Sequence, residues 1–232
     1  MDEIAANLTT VRAEITAACQ RAGRSPSEVT LVAVSKLQPT ELIAAAYAAG
    51  QRDFGENYAQ ELRDKAAALA SCPDLRWHAI GPLQRNKVKY VAKVADSFHA
   101  LDSLEIAEEL GKRRSGPPIE VFLEVNLAGE DSKSGIAPSE VAPLADQLRQ
   151  IANIRLVGLM CMPPQPEPPA AWTPEDNRPH FARMRELAHA LGLPQLSMGT
   201  TADFAVAIEE GATLVRVGRS IFGARRTPAR AS

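Results

Sequence analysis

Short apolar runs and longer amphipathic stretches alternate along almost the whole chain. Eight runs read as strands: Leu31–Lys36, Asp53–Asn57, Arg76–Gly81, Ser97–Leu101, Glu120–Leu127, Arg155–Met162, Gln195–Gly199 and Leu214–Gly218. Between them apolar positions fall three and four residues apart, which predicts helices, among them Thr40–Ala49, Gln60–Ala70, Asn86–Ala95, Leu104–Arg113, Ser139–Ile151 and Ala202–Glu210. An amphipathic helix over Ile4–Ala22, within residues 1–24, precedes the first strand. Strands alternating with helices pair in parallel through crossovers. Eight such units predict an α/β fold, a single (β/α)8 barrel of the TIM type over residues 1–232 with an extra N-terminal helix. The competing arrangement, an open doubly wound sheet, usually carries a glycine-rich turn after its first strand, and Ser35-Lys36-Leu37-Gln38-Pro39 has no glycine. The stretch Pro163–Pro179 holds seven prolines and predicts an irregular, mobile loop on the rim after the sixth strand. The basic tail 225–232 predicts a frayed end.

Composition narrows the options. The chain has 232 residues, a fitting length for one barrel, and 45% of them are hydrophobic, enough for its core. A net charge of −2 gives no pull toward nucleic acid or an anionic membrane. Cys19, Cys72 and Cys161 are odd in number and far apart, which fits neither a disulfide framework nor a zinc site and suits a reducing cytoplasm. Met1-Asp2-Glu3-Ile4 is acidic and unlike a signal peptide, and no apolar run is long enough to span a bilayer.

The residue with the most chemical promise is Lys36. It closes an apolar strand at its carboxyl end, where α/β proteins bind ligands. A partly desolvated amine there can attack a carbonyl, whereas an ordinary lysine at a strand end is a solvated charge. Asn57, closing Phe54-Gly55-Glu56-Asn57, is either a hydrogen-bonding rim residue or a helix N-cap. His78, in Trp77-His78-Ala79-Ile80-Gly81, reads as a pocket-lining or supporting residue rather than a base. Gly199 and Thr201 before one helix, and Gly218 and Arg219 before another, follow the seventh and eighth strands, the usual phosphate place in this barrel class. Thr201 could equally be a plain helix cap beside Asp203. Arg216 lies between Val215 and Val217 and must point into the barrel, so it needs a partner. That partner is either a carboxylate, with Glu56 and Glu124 as candidates, or the ring nitrogen of a bound pyridine. A lysine facing a phosphate site suggests a phosphorylated aldehyde.

Together these segments resemble the pyridoxal 5′-phosphate (PLP) homeostasis proteins, the YggS/PROSC family. The matching stretches are Ala33-Val34-Ser35-Lys36, Phe54-Gly55-Glu56-Asn57, Trp77-His78-Ala79-Ile80-Gly81-Pro82-Leu83-Gln84, Lys133-Ser134-Gly135, Gly158-Leu159-Met160, Leu196-Ser197-Met198-Gly199 and Val215-Arg216-Val217-Gly218 with Ile221-Phe222-Gly223-Ala224-Arg225. They run in order over nearly the whole chain. The resemblance implies a barrel like the N-terminal domain of alanine racemase, with PLP as cofactor held as a Schiff base on Lys36. It implies Arg216 at the pyridine nitrogen, Thr201, Gly218 and Arg219 at the phosphate, and further cofactor contacts at Asn57, His78, Met160, Ser197 and Gly199. Two positions depart from the family pattern: Thr200-Thr201 replaces a Met-Ser pair, and Arg219 stands where threonine is common.

The implied function is reversible PLP holding for intracellular vitamin B6 homeostasis, without robust catalysis, by a monomer that passes PLP to apo-enzymes. A PLP-dependent racemase is the first alternative. It needs a second base, in those enzymes a tyrosine from the partner subunit's second domain. Tyr47, Tyr58 and Tyr90 all fall in or at the start of expected helices, and no second domain follows Phe222. The other alternative is a Schiff-base sugar-phosphate aldolase, which needs an acid–base carboxylate or a second lysine near Lys36.

Overall fold

Parallel strands joined by helical crossovers can curl until the last meets the first, and here they do. The computed structural model describes residues 2–127, 129, 134–164 and 172–223. After α1 (Asp2–Arg21) the chain alternates through β1 (Thr30–Val34), α2 (Thr40–Ala48), β2 (Asp53–Glu56), α3 (Ala59–Ala68), β3 (Arg76–Ala79) and α4 (Val88–Val94). It continues with β4 (Ser97–Leu101), α5 (Leu104–Arg113), β5 (Ile119–Glu124), α6 (Val141–Leu148), β6 (Ile154–Met160) and α7 (Arg178–Ala190). It ends with β7 (Gln195–Thr200), α8 (Phe204–Glu209), β8 (Leu214–Val217) and α9 (Arg219–Phe222). The strands form a closed barrel in chain order, and β1 pairs in parallel with both β2 and β8.

Closure explains the sequence pattern. Every strand is covered by helices outside and by side chains inside, so β4 and β8 are buried along their whole length. The exterior helices need only one apolar stripe. In α1 that stripe is Ile4, Leu8, Val11, Ile15 and Ala18, all buried, each large side chain contributing about 1.5–3 kcal/mol. α1 lies across α8, α9 and α2, covering the outside of the seam where the two ends of the sheet meet.

Two boundaries differ from expectation. β1 stops at Val34, so Lys36 stands in the turn after the strand rather than in it. The proline-rich stretch is not irregular throughout: Pro174–Asn177 forms a 3-10 turn, and α7 starts at Arg178 with Pro179 in its first turn. Proline fits there because the amide it lacks has no helical partner at that position. Residues 165–171 of that stretch and the tail 225–232 lie outside the described residues, as does Lys133. No helix among the described residues is long and apolar enough to cross a membrane.

Candidate functional site

The carboxyl ends of the strands surround a cavity of about 320 Å³. Lys36, Asn57, Thr201, Arg216, Gly218 and Arg219 line it together, joined by Val34, Gln38, Ile80, Pro82, Glu124, Met162, Thr200, Ala202 and Gly223. Six residues singled out from sequence therefore meet at one mouth, although they come from four different strand ends.

The turn that carries Lys36 is held from behind by charges. Lys65 of α3 is buried and reaches up to donate to the Ser35 carbonyl (2.6 Å) and to Glu56 Oε1 (2.8 Å), and it pairs with Glu61 Oε1 (2.6 Å). Ser35 Oγ donates to the same Glu56 oxygen (2.5 Å), and the Leu37 amide donates to Glu61 (2.7 Å). The residues on both sides of Lys36 are thus tied to one buried Glu56–Lys65–Glu61 cluster. The tie holds a costly backbone, since Leu37 has φ of 61°, a left-handed conformation that a branched side chain rarely takes. Burial pushes Glu56 up to about 7, against the pull of Lys65 and the Ser35 hydroxyl.

Arg216 points inward from β8 and is 5% exposed. Its partners correct the carboxylate expectation. Nη1 donates to Ser197 Oγ (2.6 Å), and Nη2 donates to the Cys161 carbonyl (2.9 Å) and approaches Met162 Sδ (3.1 Å). Glu56 is engaged by Lys65 instead. Glu124 faces the cavity with Oε2 buried and without a hydrogen-bond partner among the described residues. Neutral acceptors position the guanidinium, and no carboxylate is hydrogen-bonded to it among the described residues. Burial lowers its affinity for the proton, yet an arginine begins so high that it stays cationic.

The two loops after β7 and β8 are shaped by short-range contacts. Asp203 accepts from the Thr200 amide (2.6 Å), from Thr200 Oγ1 (3.1 Å) and from Asn177 (2.7 Å). The Asp203 carboxylate therefore serves Thr200 and not the α8 amides, Thr201 faces the cavity, and α8 begins only at Phe204, two residues later than expected. Gly199 has φ of +90°, and a Cβ there would lie 2.6 Å from that of Ala207, so only glycine lets α8 sit this close to β7. Gly218 is the residue before α9, where a Cβ would meet the Val34 carbonyl oxygen at 3.1 Å.

The cavity carries a titration of its own. Burial, reinforced by Asp102 and opposed by Arg216, pushes Glu124 up to about 7. The folded protein then holds a proton that the unfolded chain, with its ordinary carboxyl value near 4.5, has released. Stability should fall as pH rises from about 4.5 to about 7 and level off above. Urea unfolding of the parent and of Glu124→Gln across this range checks it: the variant should show a shallower fall, with Glu56 supplying the remainder. An identical slope in both proteins would remove Glu124 from the account.

Four expected site residues do not line the cavity. His78 is buried deeper in the barrel, against Asp53 and Ser97. Met160 is buried in β6, with Met162 in its place at the mouth. Ser197 is wholly buried and reaches the mouth only through Arg216. Gly199 acts through the packing of α8. Sequence reasoning missed Lys65, Glu61 and His99. The signal for Lys65 was the Glu61–Lys65 spacing of four on α3, which reads as a surface pair until the helix is seen to turn it inward. None of the three tyrosines lines the cavity: Tyr47 donates to Asp74, Tyr90 lies beside Arg63, and Tyr58 is half-exposed.

Comparison with known proteins gives the family and the fold. Residues 6–226 match the family model for the alanine racemase N-terminal domain. The chain is 48% identical to a pyridoxal phosphate homeostasis protein of Pseudomonas aeruginosa, over the full length of both. It is 35% identical to PipY of Synechococcus elongatus, whose structure was solved with PLP bound, with a TM-score of 0.82 covering 95% of this chain and all of that one. Alanine racemase of Corynebacterium glutamicum shares the fold alone, at 18% identity and a TM-score of 0.64, over 97% of this chain and 61% of the enzyme.

Proposed function

The chain belongs to the pyridoxal phosphate homeostasis proteins, within the family built on the alanine racemase N-terminal domain, and from that membership we propose that it holds PLP reversibly at the barrel mouth and so buffers the cofactor. The observation that carries the reading is the convergence of Lys36, Arg216 and the two loops around Thr201 and Gly218 on one cavity. The residues fit the group. The cavity lies near the lower end of the usual small-ligand range of about 300–1,000 Å³. A buried cation faces it with N–H groups to spare, and an amine stands on its rim.

When bound, the cofactor supplies an aldehyde able to condense with an amine and an electron-withdrawing pyridine ring. We assign Lys36 to the aldehyde. Arg216 is assigned to the ring nitrogen, which it leaves unprotonated because arginine keeps its own proton. The Thr201, Gly218 and Arg219 backbone amides, with the Thr201 hydroxyl, are assigned to the phosphate, and Asn57 to the ring's polar edge. An unprotonated ring is a weak electron sink, and the three tyrosines stand away from the mouth. Both features support holding over turnover. The names of the relatives support the same reading. In it the protein works as a monomer and gives PLP up to apo-enzymes.

The test is the visible spectrum of the purified protein with added PLP, before and after borohydride, with the added mass mapped by peptide analysis. The expected result is a visible band that borohydride removes, one reduced adduct, and its location on Lys36. Racemisation or decarboxylation of amino acids at ~1 per second or faster would overturn the non-catalytic reading. Absence of a band at excess PLP would overturn the cofactor.

A further inference from the structure

A line of polar side chains runs through the interior of the barrel, from Arg216 at the mouth to Asp53 at the opposite end, and its hydrogen positions can be worked out from both ends. Guanidinium only donates, so Ser197 Oγ accepts from Arg216 Nη1 at 2.6 Å. The other hydrogen-bond partner of that hydroxyl among the described residues is His99 Nδ1, at 2.8 Å. Its proton goes there, which makes Nδ1 of His99 an acceptor and puts the imidazole hydrogen on Nε2. At the far end the Asp53 carboxylate only accepts, and His78 Nε2 lies 2.9 Å from it, so His78 carries its hydrogen on Nε2. Nδ1 of His78 then accepts from Ser97 Oγ at 2.7 Å. Ser97, having given its proton, accepts from His99 Nε2 at 2.9 Å, which also lies 3.0 Å from His78 Nδ1. The hydrogen positions fixed from the two ends are compatible at His99 and Ser97.

We propose that His99 is a positioning residue for Arg216, the centre of a one-way hydrogen-bond chain, Arg216 to Ser197 to His99 to Ser97 to His78 to Asp53, that holds the guanidinium by an acceptor and keeps its remaining N–H groups turned to the mouth. The middle of the chain is closed to water: Ser197 and His99 are fully buried and Ser97 is 2% exposed. His99 is further fixed by the Phe122 ring, with centroids 4.3 Å apart. Burial, with the Arg216 charge close by, disfavours a second proton on His99. Asp53 is anchored by two hydrogen bonds from Arg76, at 2.8 and 2.6 Å. A carboxylate and an arginine at the base of the barrel thus set which way every donor above them points. Unlike an ion pair, this arrangement supports Arg216 without neutralising it. The consequence for ligand binding rests on the reading of the mouth as a PLP site; the hydrogen-bond order does not.

Two measurements test it. In the ligand-free protein at pH 7.5, long-range nitrogen–proton correlation spectra should show His78 and His99 as neutral imidazoles protonated on Nε2, with signals assigned through His78→Gln and His99→Gln. In PLP titrations, Ser197→Ala and His99→Leu should each weaken binding about 10-fold, the weight of one hydrogen bond to a charged group, and should shift the visible band of the bound cofactor. His99→Gln can accept from Ser197 and donate to Ser97, so it should recover most of the affinity and the band. An Nδ1-protonated or doubly protonated imidazole at either position would overturn the chain. Unchanged affinity and spectrum in both Ser197→Ala and His99→Leu would overturn the positioning role while leaving the cofactor reading intact. A parent protein that takes up no PLP would sink the cofactor reading instead, and the tautomers would still decide the hydrogen-bond order.

Discussion

Lys36→Ala will leave the protein without a borohydride-stable PLP adduct and without the visible band, while a weak, phosphate-held complex survives. The expected loss of affinity is on the order of 100-fold, about 2.7 kcal/mol. Lys36 is the lysine among the residues lining the mouth, and the turn that carries it is fixed on both sides by hydrogen bonds to Ser35 and Leu37. Alanine removes the amine and leaves those ties in place, so the cavity and its cation persist. Equilibrium dialysis for the weak complex and peptide mass mapping for the adduct would measure the two parts separately. Adduct formation at the parent's rate, or its appearance on another lysine with the same affinity, would mean that the cofactor anchor has been misassigned.

The second large effect is on stability. Lys65→Met should cost about 3–5 kcal/mol, the usual penalty for removing one partner of a buried charge group. The amine pairs with Glu56 and Glu61 and donates to the Ser35 carbonyl, so its loss leaves the buried Glu56 without its counter-charge and takes from the Ser35 carbonyl one of its two donors, the Gln38 amide being the other. Glu56 already stands at about 7 with Lys65 beside it. Without that charge it rises further, so the folded variant keeps a proton that the unfolded chain releases near 4.5. The penalty should therefore grow from pH 6 to pH 8.5. Adding Glu56→Gln should return part of the loss at the higher pH, because neighbouring sites do not add. Urea denaturation at the two pH values measures both. A cost below about 1 kcal/mol, the range of an exposed pair, would show that the cluster is not the clamp described above.

How much of this was legible in the sequence follows from where each signal resides. Leu31–Val34 announces a buried strand because it is apolar on both faces, Leu214–Val217 does so with Arg216 as its one polar residue, and eight such runs separated by helices leave little choice but a barrel. Arg216 was visible as a cation inside a strand of valines. Its partners were not, because Ser197 and the Cys161 carbonyl come from β7 and the end of β6, and only barrel closure brings them to it. The same holds for His99: in Ser97-Phe98-His99-Ala100 nothing distinguishes a histidine facing a polar axis from one packed among apolar side chains. Lys65 reads as a surface residue because helix spacing shows which residues share a face, not which face turns inward. Pro179 misled for a local reason, since proline ends a helix from within but begins one from its first turn.

The pairing of β1 with β8 also sets when the protein can do anything. Lys36 emerges early in synthesis, but Arg216 belongs to β8 and Gly218 follows it. A nascent chain on the ribosome carries the amine without the cation or the second loop, and strand pairing over such a sequence distance forms late. The pocket therefore comes into existence only when β8 closes against β1, so capture of its ligand reports that the ring of strands has been sealed.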